Sequence, residues 1–270
     1  MKKYILLSAI IAMASCTGSK KDNSQDNNTT ADSTMCTQLV IDSMELVRKD
    51  KLMEISCQLQ FMTGNSTAAD SINASISQHI LEQGRNSNVR EAMRQYMKKT
   101  YEQYEPEVTE MQAQGEYFAD MIFSFEHEGR FMDDNPDSII TYAATNYTYT
   151  GGAHGYHWIR YMNFSRNTGH LITLDEILDP SRQKAIVQLI IQDLMKQFEC
   201  NSIQQLEDEG FIGISDMKVT DNFHIGSHGI TFLYNPYDIA CYALGKQSVT
   251  LTYEQLKTYL KRLKGVKVKK

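Results

Sequence analysis

The chain has 270 residues, a formal net charge of −6 and 41% hydrophobic residues, enough for one large domain or two small fused ones. The acidic balance argues against nucleic acid as a partner, because phosphate recognition calls for a basic face. The five cysteines include no Cys-x-x-Cys pair, so neither a zinc knuckle nor a redox motif is supported.

The chain opens with Lys2 and Lys3, followed by an apolar run from Tyr4 to Met13. Such a run is too short to span a bilayer, which takes about 20 apolar residues, but it suits a signal-peptide core. It ends in Met13-Ala14-Ser15-Cys16, which is similar to a bacterial lipobox. Residues 1–15 are therefore expected to be a lipoprotein signal peptide and Cys16 the lipidation site. Acyl chains at Cys16 would anchor the protein, since each buried methylene adds about 0.8 kcal/mol. Ordinary secretion with a coincidental cysteine is the plainer alternative. Residues 16–36 are rich in Ser, Thr, Asn and Asp and read as a flexible linker. No acidic run follows Cys16, so a periplasm-facing outer-membrane position is expected.

The folded part follows. Gln38–Val47 and the strict alternation Met53, Ile55, Cys57, Leu59, Phe61 predict a hairpin turning near Lys49-Asp50. A short helix is expected from Asp70, and a longer one over Val89–Gln114 that Pro106 should kink or interrupt. Tyr117–Phe131, Ile139–Thr150 and Tyr156–Phe164 read as strands, with a hairpin turn at Asn167-Thr168-Gly169. Asp179-Pro180-Ser181 opens the clearest helix, striped by Val187, Ile190, Ile191, Leu194, Met195 and Phe198. Strands near Met217–Ile225, Gly229–Tyr234 and Ser248–Thr252 precede a terminal helix from about Tyr253. Clustered strands and helices predict an α+β fold of largely antiparallel sheets with packed helices. It divides into two intimately associated subdomains, residues 37–165 and 166–262, before a basic tail at 263–270.

Two blocks carry a resemblance. The first runs Tyr147-Thr148-Tyr149-Thr150-Gly151-Gly152-Ala153-His154-Gly155, then Asn163-Phe164, Thr168-Gly169 and Leu174-Asp175-Glu176-Ile177-Leu178. The second runs from Gly229 through Asn235-Pro236-Tyr237-Asp238 to Tyr242-Ala243-Leu244-Gly245, followed by Val249-Thr250-Leu251. Together they resemble the extracytoplasmic domain pair of anti-sigma-V factors, found also beside the catalytic domain of a peptidoglycan deacetylase. The likeness spans nearly all of residues 37–262 in element order. Cys241 and Thr252 depart from it, standing where proline is common. No sigma-binding segment, membrane-spanning helix or deacetylase domain is read from the chain, so neither signalling nor deacetylation is carried over. The resemblance implies an envelope-facing module whose best-known relative recognises lysozyme.

The glycines of Gly151-Gly152-Ala153-His154-Gly155 give a corner freedom that other residues lack. His154 and His157 suggest chemistry, but a strand points them to opposite faces and zinc needs three or four ligands. Neither a metal nor a cofactor is assigned. The simplest role for His154 is a hydrogen bond to backbone at the corner. Asp175-Glu176 suits a helix start and Asp238 a turn. Asp133-Asp134-Asn135-Pro136-Asp137 fails as an EF-hand, because Ser138 and Ala144 stand at its glycine and glutamate positions. Tyr147 and Tyr149 share one strand face, and Tyr156 and Trp158 share another beyond the corner. Their rings suit sugars and protein partners, although tyrosine and tryptophan also pack cores.

The expected function is therefore a lipid-anchored, non-enzymatic envelope module. It binds a peptidoglycan-like glycan or a lysozyme-like protein through Tyr147, Tyr149, Gly151, Gly152, His154, Tyr156 and Trp158. Two alternatives stand beside it: a cell-wall hydrolase or deacetylase using His154, and a structural envelope lipoprotein.

Overall fold

The computed structural model describes residues 39–115 and 122–261. The expectations for the signal peptide, Cys16, the linker, the basic tail and Tyr117–Met121 lie outside these residues. The fold is α+β, with a six-stranded sheet in the order β1-β2-β3-β4-β5-β6 and a three-stranded sheet in the order β7-β8-β9.

The alternating segment folds as expected. β1 (Val40–Lys49) and β2 (Met53–Thr63) form an antiparallel hairpin whose turn is closed by Asp50, which accepts from the Leu52 and Met53 amides. Met53, Ile55, Cys57, Leu59 and Phe61 all point to one face and are buried. That face is covered by α1 (Thr67–His79), capped by Ser66, and α2 (Val89–Ala113), capped by Asn88. The helices carry the chain back so that β3 (Phe123–Phe131) joins β2 in parallel, the one parallel pair among the described strands. α2 runs on through Pro106, so the interruption allowed for there does not occur. Proline removes one amide, but Glu102 and Pro106 are exposed so that water can satisfy the freed carbonyl. Tyr104 and Val108 pin the flanking turns to Phe123 and Phe125.

β4 (Ile139–Tyr149) and β5 (Tyr156–Ser165) continue the sheet as an antiparallel hairpin, and β6 (Leu171–Ile172) closes it at Asn163 and Phe164. Gly169 supplies the expected positive φ, 68°. After the short α3 (Leu174–Ile177), a Pro180–Arg182 3-10 turn leads into α4 (Gln183–Gln197), and α5 (Ile203–Glu209) follows. The stripe of α4 packs on the second sheet, made of β7 (Phe223–Ile225), β8 (Gly229–Tyr234) and β9 (Gln247–Thr252). Two expectations shrink here. The strand predicted from Met217 begins only at Phe223, after an Ile214–Asp216 3-10 turn, and the terminal helix is the four-residue α6 (Tyr253–Leu256). Among the described residues no helix is long and apolar enough to cross a membrane.

Asparagine side chains join the two sheets. Beyond its short pairing with β6, one edge of β5 is left without a strand partner. Asn235 takes its place there: its Oδ1 accepts from the Ile159 amide at 2.7 Å, and its Nδ2 donates to the Ile159 carbonyl at 3.1 Å. Asn222 donates to the same carbonyl at 2.7 Å and accepts from the Tyr161 amide at 2.8 Å. Asn163 returns the contact, donating to Phe223 O at 2.7 Å and accepting from the Ile225 amide at 3.0 Å. A primary amide presents one donor and one acceptor side by side, as a strand does. It satisfies backbone groups that would otherwise be buried and unpaired.

Candidate functional site

Register decides which side chains meet. In β4–β5, Tyr147 stands opposite His157, and Asn146 stands opposite Trp158. In β3–β4, Glu126 stands opposite Tyr147, Glu128 opposite Thr145, and His127 opposite Asn146. Directly opposed residues share a sheet face. Glu126, Glu128, Thr145, Tyr147, His157 and Ile159 therefore lie on the outer face, away from α1 and α2. His127, Asn146, Tyr156 and Trp158 lie on the helix-covered face.

This splits the expected aromatic set. Trp158 packs against the helix-side core, with its ring 6.1 Å from buried His127, which itself meets Tyr96 of α2 edge-on at 4.6 Å. Burial lowers the His127 pKa to about 4, because an imidazolium there would lose its hydration. Tyr156 is 40% exposed at the start of β5. Its pKa is raised by partial burial and then by the Asp238 charge. Tyr147 and Tyr149 remain on the outer face. One continuous face formed by all four rings does not exist.

An open cleft of about 570 Å³ lies on the outer face. Glu126, Glu128, Thr145, Tyr147, His157 and Ile159 line the sheet side, and Asn235, Pro236, Tyr242, Gly245 and Lys246 line the side built by the second half. Asn146 and Trp158 border it as well. The Asn235 clip on β5 holds the second wall against the first. Tyr147 and His157 pack ring to ring at 4.5 Å with a 35° tilt. The Tyr147 hydroxyl is held above its usual pKa by desolvation, then by Glu126.

The glycine corner supports the wall. Gly151 and Gly152 adopt φ of 96° and 89°, a region that β-carbons disfavour. Gly155 has a different reason: a β-carbon there would fall inside the Tyr147 ring. Its carbonyl receives the Tyr242 hydroxyl at 2.7 Å and meets His154 Nδ1 at 3.0 Å. Because a carbonyl only accepts, Nδ1 carries the hydrogen. The His154 ring also stacks on Tyr242 at 3.7 Å and 11°. His154 is thus exposed, bonded to backbone as expected, and among the described residues no carboxylate lies within hydrogen-bonding distance of it. Tyr149 donates to Gly152 O at 3.1 Å, closing the corner.

Tyr237 was missed from sequence. It is 51% exposed, sits 5.8 Å from Tyr242 and has φ 74°, an outlier conformation for a bulky residue. Its turn is held by Asp238, which accepts from the Asn235 amide at 2.7 Å, so Asp238 is the turn residue expected. Glu176 likewise completes a capping box with Thr173. The Asp133–Asp137 segment is a turn, as read, but it reaches the second sheet. Asn135 donates to Ile225 O at 2.8 Å, and Asp134 meets buried His224 at 3.1 Å. Burial lowers the His224 pKa, opposed by Asp134. Among the described residues no group of three His, Cys, Asp or Glu side chains is placed to hold a metal ion. Cys57, Cys200 and Cys241 are free, and burial pushes the Cys57 thiol up to about 12.

A helix-backed sheet clipped to a second small sheet, with a mixed aromatic and charged cleft at the join, defines a two-part α+β module. The comparisons with known proteins divide the chain in the same way. Residues 47–157 match the family described as Deacetylase PdaC, and residues 175–254 match Protein of unknown function (DUF3298). The chain carries this pair of domains. A DUF3298-family structure from Bacteroides fragilis superposes with a TM-score of 0.74 at 23% identity, covering 83% of this chain and 94% of that one. A second, from Pseudomonas aeruginosa PAO1, gives 0.58 at 14% identity, covering 83% and 95%. At these identities the likeness is one of fold. No curated protein matches the chain.

Proposed function

We propose that this chain is a binding module of the bacterial cell envelope, held to the membrane through lipidated Cys16, and that it takes a peptidoglycan-like glycan in the cleft between its two sheets. The carrying observation is the cleft itself. Its volume, about 570 Å³, falls within the usual range for small-ligand sites. Its Tyr147, His157 and Tyr242 rings offer aromatic surface for a sugar, beside Glu126, Glu128, Asn235 and Lys246 as hydrogen-bonding groups. The leader-like start and the polar stretch to residue 36 support an anchored, tethered position, periplasm-facing at the outer membrane. Binding is favoured over hydrolysis or deacetylation through His154, since that ring is engaged by Gly155 and Tyr242 and, among the described residues, has no carboxylate beside it.

Calorimetry of the folded domain with soluble peptidoglycan fragments tests the reading. Saturable binding weakened by Tyr242→Ala is expected, and no heat with any fragment would overturn it. A lysozyme-like protein is the second reading, favoured by exposed Tyr237 beside Tyr242 and by the net charge of −6, which suits a basic partner. Retention of the domain by immobilised lysozyme but not by peptidoglycan would select it. An envelope lipoprotein with a purely structural role would show neither.

A further inference from the structure

The cleft has a charge pattern that its aromatic rings do not account for. Glu126 and Glu128 project from β3 on the outer face, and Lys246 stands on the wall contributed by the second half. Among the described residues, Glu126 accepts one hydrogen bond, from Ser124 Oγ at 3.1 Å, and neither glutamate nor Lys246 forms an ion pair. Between the two walls run β4 and β5. At a strand spacing of about 4.8 Å, the glutamates lie roughly 10 Å across the sheet from β5, where Asn235 fixes the opposite wall. Tyr147 and His157 pave the floor between them. A neutral sugar would leave both charged walls unanswered. A ligand with a cation at one end and an anion at the other would answer both and lay its ring over the floor.

We infer that the cleft selects a zwitterionic glycan fragment: an amino sugar whose free primary amine is held by Glu126 and Glu128, joined to a unit whose carboxylate meets Lys246. This rests on the glycan reading above and narrows it. An ammonium supplies three donors and no acceptor, which two neighbouring carboxylates accommodate and an acetamide does not.

The test compares three disaccharides by calorimetry at neutral pH and low salt. The first is a glucosamine–N-acetylmuramic acid disaccharide, whose one free amine is on the glucosamine. The second is its N-acetylated form. The third is a glucosamine–N-acetylglucosamine disaccharide, which keeps the one amine and lacks the carboxylate. The zwitterion is expected to bind about tenfold more tightly than either other compound, the scale of one charge-assisted hydrogen bond. The advantage should shrink as salt is raised. Glu126→Gln with Glu128→Gln should erase the preference for amine over acetamide, and Lys246→Gln the preference for the carboxylate, with circular dichroism confirming that each variant is folded. Should a variant fail to fold, the three-ligand comparison on the unaltered protein decides alone. Equal or tighter binding of the N-acetylated disaccharide would overturn the zwitterion inference and leave the glycan reading standing. Absence of binding by all three, with the protein folded, would overturn both.

Discussion

The two faces of the six-stranded sheet differ most where they are nearest. On β3, β4 and β5, His127, Asn146 and Trp158 look toward α2, while Glu126, Tyr147 and His157, each one residue away, look outward. The residue types are alike: an imidazole, an aromatic ring and a polar partner on each side. Their environments are opposite. The inner trio packs against Tyr96 and the helix-side core, with Asn146 and Trp158 reaching only the border of the cleft. The outer trio is left open and walled by a loop from the other half of the chain. A polar aromatic cluster becomes core or site according to what docks over it, not according to its composition.

The comparison can be broken first by acid. In the unfolded chain His127 titrates near its ordinary 6.5, and burial holds it at about 4 in the fold. The folded pKa is depressed, so its neutral form is compatible with the fold above pH 6.5. As pH falls from 6.5 to 4 the unfolded chain binds the extra proton, and about 3 kcal/mol of stability is lost. Urea melts across that window should show the loss, and His127→Asn should remove this part of the slope. Next in size is Trp158→Ala, which should cost about 2 kcal/mol by leaving a void on the helix side, measured as a lower urea midpoint. Tyr242→Ala should do the reverse, weakening peptidoglycan-fragment binding about tenfold, or 1.4 kcal/mol, with a smaller change in melting temperature. The smallest effect belongs to His154→Ala, expected to shift stability by about 0.5 kcal/mol. A Trp158 variant that lost ligand but not stability would erase the distinction between the faces.

Much of the fold was legible because alternation is local. The β1–β2 hairpin and the stripe of α4 each follow from neighbouring side chains. The aromatic arrangement was legible only in part. Spacing within each strand correctly paired Tyr147 with Tyr149 and Tyr156 with Trp158. Which face of β4 matches which face of β5 depends on the length and path of the 150–155 corner, and a one-residue slip would exchange them. Glu126 and Glu128 alternate with buried Phe125 and His127, so their outward direction could have been read from sequence. That this face becomes a cleft could not, because its second wall arrives from residues 235–246. The signal for that wall was the second motif block, whose Asn235 and Tyr242 clip β5 and Gly155. Pro106 does not interrupt α2, because helix continuity there is set by the anchoring of Tyr104 and Val108, a tertiary contact.

The central claim is that ligand enters on the outer face at the join of the two halves. Amide and ring chemical-shift mapping during titration with a soluble peptidoglycan disaccharide tests it most directly. The expected result is perturbation of Glu126, Tyr147, His157, Tyr242 and Lys246, with the His127 and Tyr96 rings unmoved. Perturbation centred on Tyr96, His127 and Trp158 with the outer face silent would contradict it.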